Sequence, residues 1–253
     1  MNTAQRRRPR APLWIAAAAF LLVLIAQFPA RWCRALLPAN IRCQQLSGTL
    51  WHGQCDALTI GANSQGEANW QLHPLALLRG QLNADLDLTQ VGVLLSGNFS
   101  LSLGSDKTGH RIEARNLQLR GLQLEQLPLP RVAPNLRGQI QAEIELARWA
   151  DGRIQTLVGQ IQVSNLTVSH DAIGSYRLDF PTVADTTPVG ALRDTDGPLH
   201  VLGSLKLTSE PGFELSGRVA ARSNAPSVMA DQITYLGSAD AEGMRPFSIA
   251  GSF

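Results

Sequence analysis

Gln139-Ile140-Gln141-Ala142-Glu143-Ile144-Glu145-Leu146 decides the fold: every even position is apolar and every odd one polar. A period of two belongs to an extended strand with one face on a core and the other in water. Antiparallel sheets are built from such strands. Gln81-Leu82-Asn83-Ala84-Asp85-Leu86-Asp87-Leu88 repeats the pattern, and Phe99-Ser100-Leu101-Ser102-Leu103 carries it again. Past residue 40 no long stretch has helical periodicity. The best helical candidate is a turn or two at Pro74-Leu75-Ala76-Leu77-Leu78-Arg79, with Pro74 in the first turn and Gly80 ending it. The chain therefore reads as mostly β.

A recurring signal of an apolar residue, a spacer and a glycine sits at Leu46-Gly48, Leu78-Gly80, Leu95-Gly97, Leu119-Gly121, Leu136-Gly138, Leu157-Gly159 and Leu215-Gly217. It reads as a tight turn or bend entering a strand. A more specific self-similarity pairs Ile112–Leu119 with Ile161–Val168: in both, the apolar parity flips just before an asparagine, Asn116 or Asn165. A one-residue slip moves side chains to the wrong face, so a β-bulge is predicted at each site, with asparagine tolerating a left-handed backbone. Loops are expected at Leu127–Asn135 and Pro181–Pro198, where proline, glycine and aspartate gather. No shift in composition crosses the second break. The expected architecture is one domain of meandering strands, curved into a half-barrel or groove.

The first fifty-five residues carry seven arginines (Arg6, Arg7, Arg8, Arg10, Arg31, Arg34 and Arg42) and no acid, within a chain of 253 residues and net charge +2. The remainder is mildly acidic, so there is no basic nucleic-acid face. Leu13–Phe28 is uncharged and strongly apolar. As a helix it places Trp14 and Trp32 ~27 Å apart, close to a hydrocarbon core of about 30 Å. The expected organisation is a basic cytoplasmic tail (1–12), a single transmembrane helix (13–30) and a periplasmic β domain (31–253). The rival is a cleaved signal peptide, which calls for a shorter apolar run and a small-x-small site; Gln27-Phe28-Pro29-Ala30-Arg31 supplies a poor one. The apolar run has no G-x-x-x-G face for close helix pairing.

Chemistry is sparse. His52, His73, His110, His170 and His200 are scattered without zinc-ligand spacing, Ser64 lacks a nucleophile-elbow context, and no glycine-rich phosphate loop precedes a helix. Asp85, Asp87, Glu143 and Glu145 fall on polar strand faces, where solvation explains them. No catalytic residue, metal or cofactor is expected, and the chain reads as a non-enzyme. Cys43 and Cys55 flank a glycine-containing turn, and an oxidising periplasm permits a disulfide between them; two separate half-buried thiols are the other reading. Cys33 beside the membrane lacks the small residues that precede a lipidated cysteine.

Leu46-Ser47-Gly48-Thr49-Leu50-Trp51-His52-Gly53, followed by Ala68-Asn69-Trp70-Gln71-Leu72-His73-Pro74-Leu75-Ala76-Leu77-Leu78-Arg79-Gly80, is distinctive. A short anchor ending in Phe28-Pro29-Ala30, a G-T-L-W-x-G turn and then W-x-L-x-P-x-x-L-L-x-G resembles the type II secretion system protein N family. The likeness covers the chain in length and layout, with its specific motifs within residues 28–80. The motif residues are Gly48, Thr49, Leu50, Trp51, Gly53, Trp70, Pro74 and Gly80. Cys43 and Cys55 are not part of the family pattern.

The resemblance implies an accessory component associated with the other inner-membrane platform subunits of a machine that exports folded proteins from the periplasm across the outer membrane. It also implies similarity to AsmA-like proteins, whose curved sheet offers an apolar groove linked to membrane lipid. From the residues alone, Trp51 and Trp70 either cap the sheet's core or form an exposed aromatic patch that docks a partner. Partner recognition on the sheet would use its edges, by strand addition. The leading expectation is an interaction subunit of the secretion assembly in the cell inner membrane; the alternative is a periplasmic lipid-binding or lipid-transfer module. A periplasmic hydrolase would need a convergent polar cluster that the sequence does not display.

Overall fold

The computed structural model describes residues 20, 23, 24, 26–31, 41–60, 63–90, 92–102, 111–126, 135–150, 153–169, 171–181, 187–208 and 212–252. Two compact units meet in sequence between Leu72 and His73. The first holds β1 (Ile41–Gly48), β2 (His52–Ile60) and β3 (Asn63–His73), paired antiparallel in chain order. The second begins with a short helix α1 (Pro74–Leu77). It continues as β4 (Gln81–Gln90), β5 (Val93–Ser102), β6 (Arg111–Gln123), β7 (Leu136–Ala150), β8 (Arg153–Val168), β9 (Asp171–Phe180), β10 (Val189–Asp196), β11 (Leu199–Leu207) and β12 (Gly212–Ala221). Helix α2 (Ser227–Thr234) and the last strand β13 (Arg245–Ser252) complete it. Each strand from β4 to β13 pairs antiparallel with its chain neighbours, an uninterrupted meander.

The alternation that defines β7 is carried into burial. Ala142 and Ile144 are buried and Ile140 and Leu146 partly so, while Gln139, Gln141, Glu143 and Glu145 are exposed. The polar face is laced across strands: Gln160 Nε2 donates to Glu143 (3.0 Å), Ser100 Oγ to Asn83 (2.8 Å) and Arg148 Nε to Glu113 (3.0 Å). Cross-strand pairs of this kind are the unit of sheet stability.

Both predicted bulges are present. Ser96 faces Gln118 and Asn98 faces Arg115, so Gly97 stands against both Asn116 and Leu117. On β8, Val163 faces Tyr176 and Leu166 faces Gly174, leaving Ser175 against Ser164 and Asn165. Asn116 (φ 51°) and Asn165 (φ 54°) adopt the left-handed backbone. The recurring glycines need a correction. Gly48 ends β1 and Gly80 precedes β4, but Gly97, Gly121, Gly138, Gly159 and Gly217 lie inside strands. At Gly97 the reason is the bulge opposite, where a Cβ would come within 2.9 Å of the Leu117 side chain. A glycine within a strand marks a close approach of a neighbour, here one that the bulge forces.

Two further expectations change. Pro181–Pro198 is not one loop: β10 lies within it and pairs with β9 and β11, its short alternation masked by flanking prolines and aspartates. A second helix also forms, between β12 and β13. Ile233 of α2 packs with Val201 and Val219, with Tyr176, Leu192, Leu199 and Phe247 around them. One apolar anchor in eight residues is too weak a stripe to register as helical periodicity.

Of the expected loop at Leu127–Asn135, all but Asn135 lies outside the described residues, as do the whole tail 1–12 and most of the 13–30 span. Within that span Phe20, Val23, Leu24 and Ala26 are helical and exposed, and Gln27 N–H donates to the Val23 carbonyl (2.9 Å). Among the described residues no helix is long and apolar enough to cross a membrane.

Candidate functional site

The G-T-L-W-H-G motif builds a clasp. Gly48 and Gly53 pair at the ends of β1 and β2. Gly48 takes φ 85°, where any Cβ would lie 2.4 Å from the His52 carbonyl oxygen, so only glycine closes this turn. Thr49 N–H donates to the His52 carbonyl (2.7 Å), and His52 N–H donates back to Thr49 Oγ1 (3.1 Å). Thus fixed, the turn presents its outer backbone to the incoming chain. Leu50 N–H donates to the Phe28 carbonyl (2.8 Å), and Pro29 forms a β-bridge with Thr49. Ala30 is then 1% exposed, the deepest apolar residue described.

Trp70 locks the clasp from beneath. It stands opposite Gly53, and its ring occupies the space a Gly53 side chain would need, with Cζ2 2.2 Å from the ideal Cβ position. Its indole N–H donates to the Leu50 carbonyl (3.1 Å), while Leu72 N–H donates to the Trp51 carbonyl (2.7 Å). Trp51 itself is half-buried. An apolar cavity of about 260 Å³ lies under the turn, lined by Ala30, Ile41, Cys43, Leu46, Leu50, Cys55, Leu58, Ala68 and Trp70. The spacing of motif glycines and tryptophans thus encodes one local device.

Cys43 and Cys55 are joined as a disulfide in the wall of this cavity, both under 5% exposed. Their register is indirect, because Cys43 faces Leu58 and Cys55 faces Leu46. Simple alternation would put them on opposite faces. Ala57 (φ 55°) and the adjoining exposed pair Gln44-Gln45 invert the parity of both strands at one level, bringing both sulfurs inward. Pro74 and Gly80 do not join the clasp; they bracket α1 at the start of the second unit.

Two histidines in the second unit have carboxylate partners. His73 Nε2 lies 2.8 Å from Asp85, and Asn98 Nδ2 donates to the other oxygen (2.5 Å). Asn98, with His73, holds the Asp85 carboxyl below its ordinary value against a smaller opposing effect of burial. The second cluster centres on Asp194, whose side chain is 3% exposed. It accepts from Val201 N–H (2.7 Å), from His200 Nδ1 (2.9 Å) and from the Arg222 guanidinium. Burial pushes this carboxyl up, but Val201, His200 and Arg222 together outweigh it and hold it below the ordinary value. Beside it the Tyr176 hydroxyl is pushed up to about 12 by burial and by the Asp194 charge, and it donates to the Ile173 carbonyl (2.9 Å). The cluster eluded sequence reading because its members lie on β10, on β11 and just past the end of β12, joined only by register. Among the described residues no three His, Cys, Asp or Glu side chains converge as a metal site.

Asp194 makes a pH prediction. A carboxyl depressed in the folded state stabilises fully above its unfolded value near 3.9, and that contribution is lost as pH falls through the folded value. Asp194→Asn is expected to cost about 1–3 kcal/mol at neutral pH, since it leaves Arg222 and His200 without their anion. Its acid-unfolding curve should fall less steeply than wild type below about pH 4. Equal slopes in denaturation series at several pH values would sink the assignment.

Against known proteins, the family model for type II secretion system (T2SS) protein N matches residues 39–248. The chain is 28% identical over 235 residues to type II secretion system protein N of Vibrio cholerae, covering 85% of this chain and 86% of that relative. It is 24% identical over 252 residues to the protein of the same name from Aeromonas hydrophila, covering 92% and 94%. No solved structure matches. With the matched region spanning the G-T-L-W-H-G turn, the disulfide and nearly the whole meander, the chain belongs to the type II secretion system protein N family.

Proposed function

We propose that the chain works as a non-catalytic accessory subunit within the inner-membrane assembly of the type II secretion system, touching the other platform subunits there. The accessory role in secretion rests on the family match over residues 39–248 and on two relatives aligned over most of their lengths. The finer reading is a single span at 13–30 with the amino terminus cytoplasmic and residues 31–253 periplasmic. It draws on the arginine cluster ahead of the apolar run and on a disulfide suited to an oxidising compartment. The clasp supports it mechanically: Phe28–Ala30, where the apolar run ends, is hydrogen-bonded to the first hairpin, and Ala30 is buried there. A pull on the anchor would therefore reach the sheet without a slack linker. Curvature of the sheet is favoured by the bulges at Asn116 and Asn165, since a one-residue insertion bends the strand that carries it. The relatives lend no added weight to lipid transfer.

The test is photocrosslinking in native membranes from Ile249, exposed on the terminal strand β13. Recovery of type II secretion subunits is expected, by strand addition at that open edge. Crosslinks to lipid alone from this site and from a second exposed site, Trp149, would defeat the platform reading.

A further inference from the structure

The clasp leaves one part of the sequence motif without a role: the P-x-x-L-L-x-G segment that forms α1. A four-residue helix gains little from its own hydrogen bonds and ordinarily persists by packing an apolar face. Here no residue of α1 is buried and no side chain caps its amino end. Leu75 is 77% exposed, Leu77 40% and the adjoining Leu78 85%. Single exposed leucines are commonplace, but three within four consecutive positions, followed by the exposed Arg79 and with no acid before Asp85, form a pattern. Helix α2 differs, although Val228 and Tyr235 are exposed there. It seats Ile233 in the core and carries the exposed Asp231, which opposes entry into lipid.

Chain connectivity says where these leucines lie. The apolar run Leu13–Phe28 ends at a residue bonded to Leu50, and the next residue, Trp51, is bonded to Leu72. Leu75 follows three residues later, which at full extension is no more than about 10–11 Å of chain. Leucines that no described residue buries are thus tethered by a short length of chain to the hairpin that holds the end of the apolar run, with the exposed Arg79 next to them in sequence.

We propose that α1 with Leu78 and Arg79 is a lipid-surface foot. Leu75 and Leu78 enter the boundary between headgroups and acyl chains, while Arg79 pairs with anionic headgroups. The occupant is lipid rather than protein because the neighbouring apolar run, by the reading above, lies in the bilayer; this inference rests on that reading.

The experiment uses the full chain with Cys33→Ser, carrying an environment-sensitive nitrobenzoxadiazole probe on a single introduced cysteine. The protein is reconstituted into phosphatidylcholine–phosphatidylglycerol vesicles with and without brominated acyl chains. Leu78→Cys should show blue-shifted emission and lose most of it in brominated vesicles. Tyr235→Cys on α2 should stay water-like, and Arg79→Gln should weaken the Leu78 signal more in vesicles containing phosphatidylglycerol than in phosphatidylcholine alone. A probe at Phe20 reports the anchor separately. Quenching at Phe20 but not at Leu78 overturns the foot and spares the anchor; quenching at neither removes both. Equal quenching at Leu78 and Tyr235 also overturns it, as does a Leu78 probe shielded in native membranes yet unquenched in pure lipid, which would mean that a protein covers α1.

Discussion

Trp70→Ala should cost the first unit about 2–4 kcal/mol, somewhat below a fully buried tryptophan because the ring is only half-buried. Two losses combine. The ring that fills the space over Gly53 disappears, enlarging the apolar cavity beneath the turn, and the Leu50 carbonyl loses the indole donor. Replacing Trp70 with 3-benzothienylalanine separates them, since it keeps the fused ring and forfeits only the N–H donor, expected at about 1 kcal/mol. Gly53→Val attacks the same contact from the opposite strand, where its side chain would collide with the indole. Hydrogen exchange on the full chain reads the effect locally: amides of Leu50 and Leu72 should lose protection while those of β7 and β8 keep theirs. Loss spread evenly over both units would show that the clasp is not a local device.

Opening the Cys43–Cys55 bond should cost the same unit about 3 kcal/mol, the chain-entropy value for a loop of this length. Reductant should lower the protection of β1 and β2, and Cys43→Ser with Cys55→Ser should reproduce the loss and abolish the response to reductant. Protein isolated from an oxidising compartment should take up no alkylating reagent at either position until reduced. Ready alkylation of both thiols without reduction would discard the disulfide. Ala57→Gly offers a subtler probe, because the left-handed backbone at Ala57 is what turns Cys55 toward Cys43. Glycine relieves that strain, so the bond should survive with hairpin stability nearly unchanged or slightly raised.

The sheet was legible wherever alternation ran for eight residues, as in β4 and β7, and both asparagine bulges were legible because a parity flip has few other causes. Gly97 and Gly138, inside strands, were misread as strand starts, since the asparagine bulge on the neighbouring strand cannot be seen from the strand that accommodates it. β10 was hidden for a different reason: Asp194 sits where alternation would continue, and its burial is satisfied by β11 and the residue just past the end of β12. The clasp was visible as a motif but not as a device. Gly48, Gly53 and Trp70 announce a turn, yet the partner that gives it meaning, Phe28–Ala30, comes from a segment whose apolarity points only to the bilayer.

On the topology proposed above, in which residues 31–253 enter the periplasm from the anchor side, a meander whose strands within each unit pair with their chain neighbours has a kinetic consequence. Each new strand finds its partner already outside, so no pairing waits for a distant segment, and loop-closure entropy stays small at every step. The first hairpin emerges first and carries the disulfide, so its covalent closure can precede the rest. Folding can then advance as a zipper at the pace of translocation, with one unpaired strand edge at the growing front, a place that β13 holds at the end.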